Sequence, residues 1–425
     1  MTALFSGPET LTLVAMEDAI APSSEPATSS VIARLRAPTR AKAVLYALLQ
    51  VRDGAIVAEL PDGRRLSFGD ANGPQIDLRI RDYRFAQRVL KNGDIGFAEG
   101  WIAREWETDD LSGLLTLLAN NIERVRRVFE GSVLGKALNW MRHLSRDNTR
   151  SGARRNILAH YDLGNRFYEA WLDRTMTYSS ARFDQTADLE QAQIAKYRAL
   201  ARHLDLKPDD HVLEIGCGWG GFAEIAAKEF GARVTGVTIS DEQLAYARAR
   251  MERAGLTDRV EIRRQDYRDI EGQFDKVASI EMFEAVGEKY WPAYFAKIAD
   301  VLKPGGRAAL QIITIKDELF ERYRKRADFI QRYVFPGGML ASVARLRQEA
   351  AQAGLVWRKA EGFGQSYAQT LAEWARRFQA RWGDIRAMGF DERFKQLWLF
   401  YLSYCEAGFR TGRTDVVQLE LAKPA

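Results

Sequence analysis

From about residue 195 the chain alternates strand-like and helical runs, and that rhythm constrains the fold more than any other feature. The helical stretch "EQAQIAKYRALARHL" leads into the strand "HVLEIG". Helix "FAEIAAKEFG", strand "RVTGVTIS" and helix "DEQLAYARARMERAG" follow. "VEIRRQD" and "FDKVASIE" read as further strands, a helix is expected near 290–302, and "RAALQIITI" follows "LKPGG" as the last core strand. Strands alternating with helices predict an α/β fold with a parallel, doubly wound, Rossmann-like sheet. Ligands of such sheets lie at the carboxyl ends of the strands.

The first strand ends in "VLEIGCGWGG", where Gly216, Gly218 and Gly220 lead into a helix. Glycines let backbone approach a ligand closely, and the helix start offers free amides. This pattern alone suits NAD, flavin or S-adenosyl-L-methionine. The second strand discriminates, because a dinucleotide enzyme usually ends it in an acid that holds ribose hydroxyls. Here it ends "VTIS", with Thr238 and Ser240. Together with Glu214, "QDYRD" and "LKPGG", this points to S-adenosylmethionine and a class I methyltransferase domain. Glu214 suits the cationic methionine amine or caps a local amide. Gln243 suits a ribose contact or a capping box that reaches back to the Ser240 amide. Asp266 and Tyr267 fall where the adenine should rest, although Tyr267 also suits a core position.

At 425 residues two domains are expected. Residues 1–36, rich in Ser, Pro, Ala and Thr towards their end, read as disordered. Residues 37–138 read as a smaller α+β, lipid-handling domain: a helix at "AKAVLYALLQ", a hairpin turning at Pro61-Asp62-Gly63, a helix stopping near Asn92-Gly93, an aromatic strand, and a last helix. Residues 139–156 carry five arginines against one aspartate, a solvated linker or a membrane-facing basic patch. The methyltransferase domain spans 157–425. Two cysteines exclude a disulfide framework, and four scattered histidines argue against a metal cage. No apolar run reaches the roughly 18–20 residues needed to span a bilayer. No basic stretch of a secretory signal opens the sequence. The expected location is therefore cytoplasmic, peripheral to the inner face of the membrane.

The segment "HYDLGNRFYEAWLDRTMTYSSARF" (160–183), with "VLEIGCGWGG", "VTISDEQ", "QDYRD", "MFEAVG", "YVFPGG" and "YLSYCEAGFR", resembles cyclopropane-fatty-acyl-phospholipid synthases and mycolic acid cyclopropane synthases. The resemblance covers about 155–415 and extends more loosely to "GDIGFAEGWIAREWETDDLSGLL". It implies methyl transfer from S-adenosylmethionine to the double bond of an unsaturated phospholipid acyl chain. A carbocation results, and a bound bicarbonate removes a proton so that a ring closes. The resemblance places Glu284, Tyr367 and the backbone of Ile313 around that anion. The family's cysteine and histidine positions fall on Ser180 and Gln311, and Ala285 stands where a histidine is common. Loss of the imidazole is expected to weaken or remove the anion site, which leaves methyl-branched or methylene products open beside cyclopropane. Tyr178 and Ser179 correspond to the family's cofactor-contacting "YS" pair. Cys405 matches a cysteine once proposed as catalytic, although apolar surroundings would keep its thiol protonated.

The expected partner is unsaturated phospholipid at a membrane surface; a homodimer and a partner reductase or desaturase are compatible with it. A small-molecule methyltransferase or a non-catalytic lipid- or cofactor-binding homologue are the rival readings. Nucleic acid is disfavoured by the absence of a basic-aromatic strip.

Overall fold

The computed structural model describes residues 24–70, 72–130 and 163–425. The basic stretch 139–156 lies outside the described residues.

A five-stranded sheet builds the first domain from β1 (Glu25–Pro26), β2 (Ala55–Glu59), β3 (Arg65–Gly69), β4 (Gln75–Ile80) and β5 (Trp106–Glu107), in the order β1-β3-β2-β4-β5. Strands β2 and β3 form the expected hairpin, with Gly63 at φ +85° in the turn. Buried and less buried residues alternate along β4, as a one-sided sheet requires. Two expectations change here. Order begins before residue 37: β1 pairs with β3, and the helix Ser29–Arg34 is capped by Thr28 and buries Ile32. The expected aromatic strand is the helix Asp94–Ile102, which turns off the preceding helix at Gly93, φ +63°. A Cβ at Gly96 would lie 2.0 Å from Arg88 O, so glycine here permits a helix contact that strand propensity does not register.

The second sheet comprises β6 (His211–Ile215), β7 (Arg233–Thr238), β8 (Val260–Arg264), β9 (Phe274–Ile280), β10 (Leu302–Ile315), β11 (Val356–Gly362) and β12 (Thr414–Ala422). Its order is β11-β12-β10-β9-β6-β7-β8. Strands β6 to β10 are parallel, and β12 runs antiparallel to both β10 and β11. Strand order reverses between β6 and β9, so a crevice opens at their carboxyl ends. Helices Gly364–Ala380 and Glu392–Arg410 complete this region, and one apolar cluster runs from them into the first domain. Polar ties cross the same boundary: Trp101 Nε1 donates to Gln396 O, and Ser112 Oγ to Glu406.

Candidate active site

The turn after β6 is shaped by its glycines. Gly216, Gly218 and Gly220 adopt φ of +79°, +52° and +82°, conformations that L side chains rarely take. A Cβ on Gly216 would stand 2.8 Å from Met282, whereas one on Gly218 would meet nothing within 4 Å. Gly218 therefore offers bare backbone to open space just before the helix Gly221–Phe230. Beside it, Glu214 is buried and its Oε2 has no hydrogen-bond partner. Burial pushes this carboxyl up to about 8, against the pull of Arg250 and Lys196. A buried acid with an unmatched oxygen beside an open glycine loop fits the cationic amine of S-adenosylmethionine.

Thr238 Oγ1 donates to Gln243 Oε1 at 2.9 Å, and the Ser240 amide donates to Thr238 Oγ1 at 3.2 Å. Only half of the expected capping box forms: Ser240 accepts from the Gln243 amide, while the Gln243 side chain turns to Thr238. Asp266 grips Arg268 with both oxygens, and the Tyr267 ring meets Tyr294 edge-on at 5.4 Å. Tyr178 and Ser179 lie on the irregular segment before the helix Leu189–His203. The Tyr178 hydroxyl pairs with that of Tyr401 at 2.7 Å, and its ring lies 5.1 Å from Trp374.

The remaining candidates converge around a residue that sequence reasoning missed. Glu281 follows β9 directly, at φ +50°. Its Oε1 accepts from the Ser180 amide at 2.8 Å and from Gln311 Nε2 at 2.7 Å, and its Oε2 accepts from the Tyr367 hydroxyl at 2.7 Å. These three donors are the positions that the family resemblance assigns to bicarbonate. Glu284 Oε1 accepts from the Ile313 amide at 2.5 Å, which occupies the remaining two. The weakened anion site expected from Ser180 and Gln311 is thus a filled one, carrying the chain's own carboxylate. Bicarbonate does not fit here, because each donor it would use is already matched. The available signal was an extra acid at a strand end, three residues before Glu284.

Burial raises the Glu281 carboxyl, and its three donors and Lys196 pull it back. Glu284 is pushed up to about 8 by burial and by the charge of Glu281, and its Oε2 is buried without a partner. Tyr367 stays protonated, raised by burial and by Glu281, so it remains a donor. Its ring stacks on Phe409 at 4.4 Å and meets Trp374 edge-on at 6.2 Å. Cys405, on the helix Glu392–Arg410, packs against the apolar cluster, and burial pushes its thiol up. A protonated thiol is a poor nucleophile. Among the described residues, no group of three or more His, Cys, Asp or Glu could hold a metal, and no helix is long and apolar enough to cross a membrane.

Residues 148–419 match a family model described as mycolic acid cyclopropane synthetase. Over 378 residues the chain is 39% identical to the tuberculostearic acid methyltransferase UfaA1 of Mycobacterium tuberculosis, covering 85% of this chain and 86% of that one. It is 37% identical over 361 residues to the cyclopropane-fatty-acyl-phospholipid synthase of Escherichia coli, covering 82% and 88%. Among solved structures it resembles the cyclopropane synthase MmaA2 of M. tuberculosis, with a TM-score of 0.60, 29% identity, and coverage of 64% and 98%. Mycolic acid cyclopropane synthase CmaA1 complexed with SAH and CTAB gives the same four figures.

Proposed function

The chain belongs to the mycolic acid cyclopropane synthetase family of S-adenosylmethionine-dependent enzymes, and from that premise we propose that it methylates the double bond of an unsaturated phospholipid acyl chain and leaves the added carbon as a branch. The phospholipid substrate follows the name of the E. coli relative, and the methyltransferase outcome follows that of the M. tuberculosis relative. The observation that carries the branched product is Glu281 seated on Ser180, Gln311 and Tyr367.

Bound S-adenosylmethionine supplies a methyl group on a sulfonium, electrophilic enough for an alkene. Glu214, the 216–220 loop, Thr238, Gln243, Asp266, Tyr267, Tyr178 and Ser179 are the residues that would hold it. Methyl addition leaves a secondary cation on the neighbouring acyl carbon. The rings of Tyr178, Tyr367, Trp374 and Phe409 and the charge of Glu281 stabilise it. A hydride then moves from the methyl-bearing carbon to its neighbour, giving a tertiary cation. Glu281 Oε2, with a single donor, keeps a lone pair to take a proton from the new methyl group. A methylene branch (C=CH2) forms on the acyl chain, the carboxyl becomes neutral, and the acyl chain gains one carbon and two hydrogens. Saturation to a methyl branch needs a hydride and a proton, supplied by a partner reductase.

A carboxylate engaged by three donors is a weaker base than one less engaged, so proton removal slows and the hydride shift competes. A difference of about 1.4 kcal/mol between the two exits changes their ratio tenfold. The test is expression in a host without such lipids, followed by mass spectrometry of its phospholipids. Acyl chains heavier by one carbon and two hydrogens are expected from the wild type and should fall sharply with E281Q. Unaltered acyl chains in the host expressing the wild type, or chains whose fragmentation shows a cyclopropane ring, would overturn the reading.

A further inference from the structure

One buried cation stands among the acids of the site without a part in the chemistry above. Lys196, on the helix Leu189–His203, has a fully buried side chain. Its Nζ donates to Ser179 Oγ at 2.7 Å and lies 4.2 Å from the centre of the Tyr197 ring. Glu281 beyond β9, Asp173 on the irregular segment and Glu214 on β6 all act on its charge. Burying an ammonium is costly unless it is paired, so this position calls for an explanation.

The bonding around Lys196 leads to Glu281 along two arms. In the first, Gln193, three residues earlier on the same buried helix face, donates to Ser179 O at 2.9 Å while Lys196 holds Ser179 Oγ. The next amide, that of Ser180, is one donor to Glu281. In the second arm, Lys196 O and Gln311 Oε1 both accept from Gln418 Nε2, at 3.2 and 3.0 Å. The register of β10 against β12 sets Gln311 opposite Gln418, and Gln311 is a second donor to Glu281. Two of the three bonds that aim the carboxylate are thereby tied to one turn of one helix.

We propose that Lys196 is the positioning residue of the Glu281 base, its ammonium holding that carboxylate ionised and aimed through Ser179 while its backbone carbonyl anchors the glutamine pair. This rests on the reading of Glu281 as the base. Lys196 Nζ is held on Ser179 Oγ and over the Tyr197 ring, so it acts on the reaction through other groups. Burial draws its ammonium down to about 7 while the three acids hold it up, so its charge depends on theirs. The groups facing Glu281 are Lys196, Tyr367, Gln311, the Ser180 amide and the acid Glu284. Lys196 is the cation among them.

The experiment is a pH–rate profile of the full chain on vesicles of unsaturated phosphatidylglycerol, for wild type, K196M and K196R. A base must be ionised to act, so activity falls as pH drops through its pKa. Removing the cation raises that pKa, and K196M should move the acid limb up by at least one pH unit, with K196R restoring it. A lowered plateau with an unmoved limb in K196M would overturn the proposal. If K196M fails to bind S-adenosylhomocysteine, the reciprocal measurement decides. Carbon-13 NMR of labelled lysine should show Lys196 titrating at least one unit lower in E281Q than in wild type, and an unchanged titration would overturn the coupling. Undiminished methylation by E281Q would instead defeat the base reading, while the lysine titration would still decide whether the two charges are coupled.

Discussion

Replacing Glu281 by glycine should convert the protein into an enzyme that depends on an added anion. Position 281 sits at φ +50°, where a side chain costs about 1–2 kcal/mol that glycine does not incur. The substitution also strips the Ser180 amide, Gln311 Nε2 and the Tyr367 hydroxyl of their shared acceptor. Each buried donor left unmatched costs about 1–3 kcal/mol, so relief of strain offsets less than the loss and E281G should be less stable by about 2 kcal/mol or more. Bicarbonate placed on the vacated donors would return about 2.7 kcal/mol at a hundredfold excess over its Kd. Without it, loss of the base should slow methylation by about 10²–10⁴-fold. The assay follows methylation and thermal unfolding against bicarbonate in degassed buffer, for wild type and E281G. Wild type should ignore bicarbonate in both readouts, whereas E281G should gain at least tenfold in rate and a higher unfolding midpoint. An E281G that stays inert, or a wild type that needs bicarbonate, would refute the idea that a carboxylate has taken the anion's place.

Other consequences are equally open to measurement. Gly218→Val should abolish S-adenosylhomocysteine binding in calorimetry, because φ +52° disfavours a β-branched residue and its side chain would enter the open space beside the loop. Glu214 stands near 8 without the cofactor, burial outweighing the pull of Arg250 and Lys196, so it is largely protonated at pH 7, and the added cationic amine favours its ionised form. Cofactor binding at pH 7 should therefore release a proton, detected as a buffer-dependent binding enthalpy that E214Q removes; a buffer-independent wild type would contradict this. Substituting Arg150, Arg154 and Arg155 by Ser should weaken sedimentation with anionic vesicles by roughly 1 kcal/mol per residue, in a salt-sensitive way. Unchanged binding would return 139–156 to the role of a linker.

The doubly wound domain was legible because its periodicity is local: each strand or helix announces itself within about ten residues. Glu214 and the glycines were legible for the same reason, since strand end and turn are contiguous. Glu281 was not. It reads as the last letter of the strand "FDKVASIE", and nothing local reveals the turn to φ +50° that swings its carboxylate inward. Its donors lie 101, 30 and 86 positions away, so their convergence is a property of the folded sheet and its covering helices. The substitutions at Ser180 and Gln311 looked like damage when each was considered alone. Lys196 escaped notice because a lysine in a helical run normally faces solvent. In the first domain, glycine-mediated helix packing at Gly96 and Gly100 made a helix of a segment whose aromatic residues suggest a strand.

Whether the built-in carboxylate leads to a branched product is read from the product itself. Purified wild-type protein, S-adenosylmethionine and unsaturated phospholipid vesicles are combined in bicarbonate-depleted buffer, and the acyl chains are then analysed by proton NMR and fragmentation. Vinylic protons of a methylene branch are expected, formed at the same rate as with bicarbonate present. Upfield methylene protons of a cyclopropane, or a reaction that stops when bicarbonate is removed, would contradict it.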